Sequence, residues 1–219
     1  MRRRIYLMRH GAVSYFDRGR PLKPEDVPLT VAGRDQAFAA ASMLRGIDLD
    51  RVITSGLPRT VETASIVAPD LEPEAWPELR ELETGRLADI PEDELERAFT
   101  HAFRDVIPED ARFLAGETIG SLFDRVLPAI DRLLAADDWD IVLAVLHGGV
   151  NRAVISRALT GGRTFLGNLE QAPACLNVLD IGDDDDWIVR AVNVTPYDLA
   201  HLEGRSTTME ELWQQFRSM

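Results

Sequence analysis

Only one cysteine, Cys175, occurs in the sequence. No internal disulfide can form, so the core alone must hold the fold, and a reducing, cytoplasmic setting is the expectation. Its neighbours Ala174 and Leu176 are apolar, which reads as a buried, inert thiol. Long apolar runs are missing as well. The stretch behind the basic start Met1–Arg4 is short and is broken by Arg9 and His10, so neither a standard signal peptide nor a membrane span is expected. Positive charge is scarce: 24 Lys and Arg stand against 37 Asp and Glu, for a net charge of −13. Such a chain is a poor general binder of nucleic acid or anionic membrane, and neither is expected as a partner. An anionic substrate would have to be caught by a local arginine cluster working against the overall field. Repeats and low-complexity segments are absent, and the short run Asp183–Asp186 reads as a solvated turn rather than a cation site.

The sequence does have enough apolar residues, 45% of 219, to bury a full core. One large α/β domain spanning 1–219 is the expectation. Ile5-Tyr6-Leu7-Met8 is apolar on consecutive positions, as a strand covered on both faces would be. It runs directly into Arg9-His10-Gly11. In α/β proteins ligands bind at the carboxyl ends of the strands. A guanidinium beside an imidazole disfavours a metal ion and suits an anion, for which arginine offers a planar donor fork. On this tripeptide alone, a surface histidine next to a surface arginine is the commoner reading. A loop with Arg18, Arg20 and Lys23 follows, kept from helix by Pro21, Pro24 and Pro28. Its cations read as solvated, with a second anion contact as the alternative.

Thr30 is placed to cap a helix through Ala37, Ala40, Ala41 and Leu44, stopping near Gly46. Arg51–Thr54 reads as a second strand. Pro58 fits the first turn of a helix reaching Pro69, which sets Arg59 at a helix N-terminus, where side chain and dipole both favour an anion. Leu79-Arg80-Glu81 lies in an acidic neighbourhood where any one glutamate would ordinarily be solvated. The pattern from Asp89 to Ile107 predicts a weakly amphipathic helical segment with His101 on its surface. Gly116-Glu117-Thr118 leads into a longer helix with Leu122, Val126, Ile130 and Leu133 as its buried stripe. Ile141–Leu146, the most apolar strand, stops at His147-Gly148-Gly149 and continues as a helix, repeating the layout of the opening. The glycines would let backbone N–H groups approach an anion. A hairpin of Ala174–Ile181 and Trp187–Val194 and a short amphipathic helix over Met209–Phe216 complete the reading.

Together the pieces have a chemical logic. Cleaving a phosphomonoester takes a nucleophile (His10), cations for the phosphoryl oxygens (Arg9 and Arg59, with His147 as a donor if protonated) and an acid for the leaving oxygen (Glu81). The sequence resembles the histidine phosphatase superfamily, the phosphoglycerate-mutase-like proteins. Arg9-His10-Gly11 is similar to the family's signature, and Leu29-Thr30 with Gly33 and Gln36-Ala37 to its next segment. Ser55, Leu57 and Arg59 with Thr63-Ala64 resemble the stretch that carries the second phosphate arginine. Leu79-Arg80-Glu81 before Gly85, Gly116-Glu117-Thr118, and His147-Gly148-Gly149 follow in the family's order.

The resemblance implies a three-layer α/β/α sandwich with a central, mostly parallel sheet, and residues 86–116 forming a helical lid over the site. It implies catalysis by His10, Glu81, His147, Arg9 and Arg59, substrate contacts from Arg9, Gly11, Ser14, Phe16, Arg59 and Gly148, and neither metal nor cofactor. Ala12 and Phe16 replace an acidic residue and an asparagine common in the family, with the Ser14 hydroxyl as a compensating contact. The expected partner is a small phosphorylated substrate. A phosphatase is expected rather than a cofactor-dependent mutase, because the segment Arg86–Gly116 is acid-rich (Asp89, Glu92, Asp93, Glu94, Glu96) and would repel a bisphosphate. A phospho-ligand binder without catalysis is the remaining class.

Overall fold

The computed structural model of the chain describes residues 2–17, 20–183, 185–202 and 205–218. Arg18 and Asp184 lie outside the described residues, as does the side chain of Arg20. Ten strands and six α-helices are described: β1 (Arg3–Arg9), β2 (Phe16–Asp17), β3 (Arg20–Pro21), α1 (Val31–Met43), β4 (Arg51–Thr54), α2 (Pro58–Val67), β5 (Glu74–Ala75), α3 (Leu95–Thr100), β6 (Val106–Ile107), α4 (Ile119–Ala135), β7 (Ile141–Leu146), α5 (Gly148–Thr160), β8 (Phe165–Leu166), β9 (Leu176–Ile181), β10 (Trp187–Val194) and α6 (Thr208–Arg217). Six strands form the central sheet in the order β10-β9-β1-β7-β4-β5. Strand β9 alone runs against the rest, since β1, β7, β4 and β5 pair in parallel and β9 pairs antiparallel with both β1 and β10.

Alternation along the strands sorts the core into two layers. Ile5 and Leu7 of β1 and Val142, Ala144 and Leu146 of β7 pack with the buried stripes of α4 and α5. Tyr6, Met8, Leu143 and Val145 point the other way, onto Ala37 and Ala40 of α1 and Ala64 and Val67 of α2. The expected three-layer α/β/α sandwich is the result. The stripe Leu122, Val126, Ile130 and Leu133 is buried as its spacing predicts, each side chain contributing about 1.5–3 kcal/mol.

Helix starts follow their caps. The Thr30 hydroxyl accepts from Gly33 N, Thr118 from Ser121 N, and Pro58 opens α2. Two boundaries differ from the sequence reading. β9 begins at Leu176 because Ala174 has φ 53°, outside strand geometry. Within Asp89–Ile107, α-helix is confined to Leu95–Thr100. Pro91 precedes it, Asp105 turns at φ 61°, and the rest of 86–116 is single turns and the short strand β6. The segment is therefore mostly irregular rather than helical. Its helix α3 rests on α6, where Phe99 lies 5.4 Å from the Phe216 ring and 5.5 Å from that of Trp213. No helix among the described residues is long and apolar enough to cross a membrane.

The parallel register brings the carboxyl ends of β1, β7 and β4 together. Arg9 pairs with Leu146 and Thr54 with Val145, so His10, His147 and Ser55 emerge side by side. The turn after β1 is pressed against the start of α1. A methyl group on Gly11 would stand 2.3 Å from the Gly33 carbonyl oxygen, and one on Gly33 would stand 2.2 Å from that of Ala12. Gly33→Ala is therefore expected to lower stability in urea by about 2–3 kcal/mol, as overpacking against backbone does. Gly46→Ala, at φ +82° but in open space, should cost about 1–2 kcal/mol. An undisturbed Gly33→Ala midpoint would show that this crossing is not close-packed.

Candidate active site

His10 is 1% exposed, and its Nδ1 stands 2.8 Å from the Gly11 carbonyl oxygen. A carbonyl only accepts, so Nδ1 carries the proton and Nε2 carries the free lone pair. The turn that fixes this imidazole is itself clamped by neighbouring helices. Thr63 of α2 accepts the Gly11 N–H at 3.1 Å, Gln36 of α1 accepts that of Ala12 at 2.9 Å, and Thr30 donates its N–H and hydroxyl to the Ala12 carbonyl. The motif residues around Thr30 and Gln36 thus act as a backbone vice on residues 10–12.

The second imidazole follows β7. The rings of His10 and His147 are 5.2 Å apart, edge to face. His147 Nε2 bonds Ser55 Oγ at 2.8 Å, while its Nδ1 is buried without a partner. Burial, reinforced by Arg9 and Arg59, holds the His10 pKa well below the usual imidazole range. Burial followed by Arg59, His10 and Arg9 does the same to His147. Both rings are thereby held neutral at pH 7.

Two guanidiniums flank the rings, Arg9 at 7% and Arg59 at 3% exposure. Each is tethered through Nη1: Arg9 to the Gln171 carbonyl and to Thr208, Arg59 to the Pro24 carbonyl. Each leaves Nε buried and unpartnered. The Nε–Nη2 edge of each is thus unbonded among the described residues, which is the edge arginine presents to a tetrahedral oxyanion. The N-termini of α2 and α5 lie at the same edge of the sheet and favour negative charge there.

Glu81 approaches from the segment after β5. Both its carboxylate oxygens accept the Gly149 N–H at 3.1 Å, and Oε1 also accepts from Leu82 N. A methyl on Gly148 would stand 3.1 Å from Arg152 Nη1 and 3.8 Å from both Arg9 Nε and Glu81 Oε2. A methyl on Gly149 would meet Glu81 Oε1 at 2.6 Å. The two glycines therefore keep room for these side chains. Arg125 of α4 holds the Glu81 segment from behind. Its Nη1 donates to the Glu78 and Arg80 carbonyls at 2.7 and 2.6 Å, and its Nη2 to the Glu81 carbonyl at 3.3 Å. A bidentate pair to Glu117 completes its bonds.

Of the residues expected at the site, His10, His147, Arg9, Arg59, Glu81 and Gly148 come together. Gly11 and Ser14 do not offer the substrate contacts expected of them. The N–H and C=O of Gly11 are both bonded internally, and the Ser14 hydroxyl donates to the Phe16 carbonyl at 2.8 Å. Phe16 stands half-buried on the β2–β3 ribbon. Lys23 is exposed, and His101 is exposed beside Thr100 and Arg104. Cys175 is fully buried, and burial pushes its thiol up to about 12, in keeping with an inert role.

The sequence reading passed over Arg125, Arg152, Glu170, Gln171, Asn177 and Thr208. One signal for them was visible: Asn177 is a polar residue inside an apolar strand. It joins Gln171 and Asn151 in a buried chain that supports the carbonyl holding Arg9.

An α/β protein with buried arginines and histidines gathered at the carboxyl edge of its sheet is the class these features define. Residues 5–195 match the family described as "Histidine phosphatase superfamily (branch 1)", and the chain belongs to it. It is 29% identical over 211 residues to Phosphoglycerate mutase-like protein 4 of Arabidopsis thaliana, covering 91% of this chain and 86% of that protein. It is 32% identical over 159 residues to the Yersinia pestis protein named "Probable phosphoglycerate mutase GpmB", covering 71% and 74%. Among solved structures, the alpha-ribazole phosphatase from Shigella flexneri superposes with a TM-score of 0.70 at 25% identity, covering 87% of this chain and 96% of that one.

The neutral histidines carry a consequence for stability. Their folded pKa values are lowered, while unfolded imidazoles protonate near pH ~6.5. The stability tied to keeping them neutral is complete above about pH 6.5 and is lost as pH falls from there toward the folded values. Tm is expected to drop between about pH 7 and pH 5, and to drop less in a His10→Asn, His147→Asn double variant. Identical slopes by differential scanning fluorimetry would show that these rings are not the titrating groups.

Proposed function

We propose that this protein is a metal- and cofactor-independent phosphomonoesterase that works through a phosphohistidine on His10, with Glu81 as proton donor. The observation that carries the reading is the setting of His10. Its Nδ1 is locked to a carbonyl, so its Nε2 carries the free lone pair, close to two guanidiniums with unpartnered Nε donors. Family membership and the phosphatase superposed on this chain support the same reading.

The chemistry follows from the geometry. The phosphoryl group sits between the open edges of Arg9 and Arg59, with His147 Nδ1 beside it. A dianion there reverses the electrostatics that keep His147 neutral, so Nδ1 takes up a proton and becomes a third donor. His10 Nε2 attacks phosphorus in line: the P–N bond forms as the ester P–O bond breaks, and Glu81 in its acid form gives its proton to the leaving oxygen. Water then loses a proton to Glu81 and attacks phosphorus, breaking the P–N bond and releasing inorganic phosphate. The arginines supply the positive charge that other phosphoryl-transfer sites obtain from a metal ion. In this reading residues 1–219 are one cytoplasmic domain, residues 86–116 are its lid, Phe16 lines the pocket wall, and the partner is a small phosphorylated molecule.

A mutase reading has the relatives' names behind it. It differs only in what attacks the phosphohistidine, a second hydroxyl in place of water. Asp89, Glu92, Asp93 and Glu94 of the 86–116 segment are exposed and have no ion-pair partner among the described residues. A retained bisphosphate would meet their repulsion at short range, which favours the phosphatase.

Purified protein should hydrolyse p-nitrophenyl phosphate in EDTA at mildly acidic pH, and His10→Ala should abolish it. No turnover above the His10→Ala control would leave a phospho-ligand binder. On 3-phosphoglycerate with a trace of 2,3-bisphosphoglycerate, phosphorus NMR should show phosphate release, and isomerisation without release would establish the mutase. Glu81→Gln should slow alkyl phosphates about 10²–10⁴-fold and aryl phosphates with good leaving groups far less. Equal losses on both would remove Glu81 from the acid role.

A further inference from the structure

The helix α6 (Thr208–Arg217) lies beyond the family-matched span 5–195, yet its first residue touches the core of the site. Arg9 Nη1 donates one hydrogen to the Gln171 carbonyl at 2.6 Å and the other to Thr208 Oγ1 at 2.9 Å. The Thr208 hydroxyl passes its own proton to Glu170 Oε1 at 2.8 Å, and its backbone N–H reaches the same oxygen at 3.3 Å. Glu170 Oε2 accepts from Arg152 Nη2 at 3.2 Å. Arg152, 4% exposed, donates onward to the Gly148 carbonyl at 3.2 Å and the Gly167 carbonyl at 3.0 Å, with its guanidinium over the Phe103 ring. The chain Arg9–Thr208–Glu170–Arg152–Gly148 thus runs from the guanidinium beside His10 to the first residue of α5.

This junction is built rather than incidental. Thr207 and Glu210 form a reciprocal capping box that fixes the first turn of α6, so the Thr208 hydroxyl is presented from an ordered backbone. Phe216, stacked on Phe99, and Trp213, tilted against it, anchor the same helix to the 86–116 segment. Donor and acceptor roles have one consistent assignment. Arg9 and Arg152 only donate and Glu170 only accepts, so Thr208 must accept from one side and donate to the other.

We infer that Thr208, oriented by Glu170, is a positioning residue for Arg9: it holds Nη1 so that the Nε–Nη2 edge faces the bound oxyanion. A guanidinium pinned at one nitrogen by two acceptors cannot rotate in its plane, and its open fork is organised before the ligand arrives. Glu170 adds a counter-charge between two buried cations, which reduces the repulsion of Arg9 by Arg152. The role belongs to α6, which makes the end of the chain part of the phosphoryl site while it contributes no atom to the reaction. This inference rests on the reading of Arg9 as an oxyanion ligand.

The test measures inhibition of p-nitrophenyl phosphate hydrolysis by orthovanadate and by inorganic phosphate in Thr208→Val, Thr208→Ser, Glu170→Gln and Arg9→Gln. Losing one charge-assisted hydrogen bond is worth roughly tenfold in affinity. Thr208→Val is expected to raise both inhibition constants by about that factor, and Glu170→Gln to raise them in the same direction. Thr208→Ser should restore them. The ratio of rates on alkyl and aryl phosphates should stay at the parent value, because Glu81 is untouched. The rise in Tm that phosphate produces should shrink in Thr208→Val even where its Tm without phosphate matches the parent, which a purely structural role of the threonine would not bring about. Thr208→Ala serves as a second hydroxyl-free variant and must reproduce the Thr208→Val constants. Unchanged inhibition constants in Thr208→Val, or a loss that serine does not restore, would overturn the inference while Arg9→Gln still shows weakened binding. Unchanged constants in Arg9→Gln would instead remove the reading of Arg9 on which it stands.

Discussion

Burying positive charge is the constraint that shapes this molecule. Arg9, Arg59 and Arg152 are each less than a tenth exposed, packed around two fully buried imidazoles, in a chain whose net charge is −13. Removing a guanidinium from water costs several kcal/mol unless carbonyls and carboxylates replace the lost solvent. The surrounding fold is arranged to supply them: the carbonyls of Pro24, Gln171, Gly148 and Gly167, and the carboxylate of Glu170. Glu81 stands close to Arg9 and Arg152 without bonding either, held by backbone N–H groups at the start of α5. The compensation stops short of completion. Among the described residues the Nε of Arg9, the Nε of Arg59 and the Nδ1 of His147 are buried without a partner. In the proposed function an arriving oxyanion is the group that completes all three.

The neutrality of the histidines follows from the same cations. In the proposed reaction His10 needs a free lone pair to attack phosphorus, and a protonated ring would have none to offer at Nε2. Burial and two nearby guanidiniums remove that proton, and the Gly11 carbonyl decides which nitrogen keeps the one that remains. In the proposed reaction the arginines thus act twice, once on the nucleophile before binding and once on the phosphoryl oxygens after it. Positioning the turn that carries His10 requires backbone packed against backbone, which is why Gly11 and Gly33 face each other at a distance no side chain tolerates. Arg125 and Glu117 perform the equivalent task for Glu81, through carbonyls that no substitution in the glutamate's own segment can remove.

The layers and the residues gathered at the carboxyl edge of the sheet were legible from sequence because each left a local mark. Ile5–Met8 and Ile141–Leu146 are continuous apolar runs, Thr30 and Pro58 punctuate helices, and His10, Arg59 and His147 each follow a strand. Parallel pairing then had to bring them to one edge. Residues that act through backbone contacts left weaker marks. Thr208 and Glu170 look like ordinary surface residues of a helix start and a loop, and only the tertiary fold joins them to Arg9. The irregular path of 86–116 was hidden for a different reason. Its apolar residues recur at helical spacing, but Pro91 and the left-handed turn at Asp105 override that periodicity. Gly11 and Ser14 show the limit of motif transfer: the Gly11 N–H is held by Thr63 of α2 and its carbonyl by His10, and the Ser14 hydroxyl by the Phe16 carbonyl, so the signature tripeptide is as much a folding element as a chemical one.

On the proposed reading of 86–116 as a lid, charge is layered along the path to His10, and the layering bears on what the site discriminates. At the bottom lie guanidiniums with unpartnered nitrogens, which reward a phosphoryl dianion. In the 86–116 segment stand Asp89, Glu92, Asp93 and Glu94, exposed and unpaired among the described residues. A ligand carrying one phosphoryl group gains the attraction and meets little of the repulsion. A ligand carrying two gains the attraction once, and its second group remains outside the arginine cluster. Screening by salt weakens the outer layer far more than the buried one, since exposed charges lie within reach of mobile ions and the arginines do not. Preference for a singly phosphorylated ligand should therefore fade with ionic strength while affinity for the phosphoryl group itself persists, a separation expected when the two charge layers act independently.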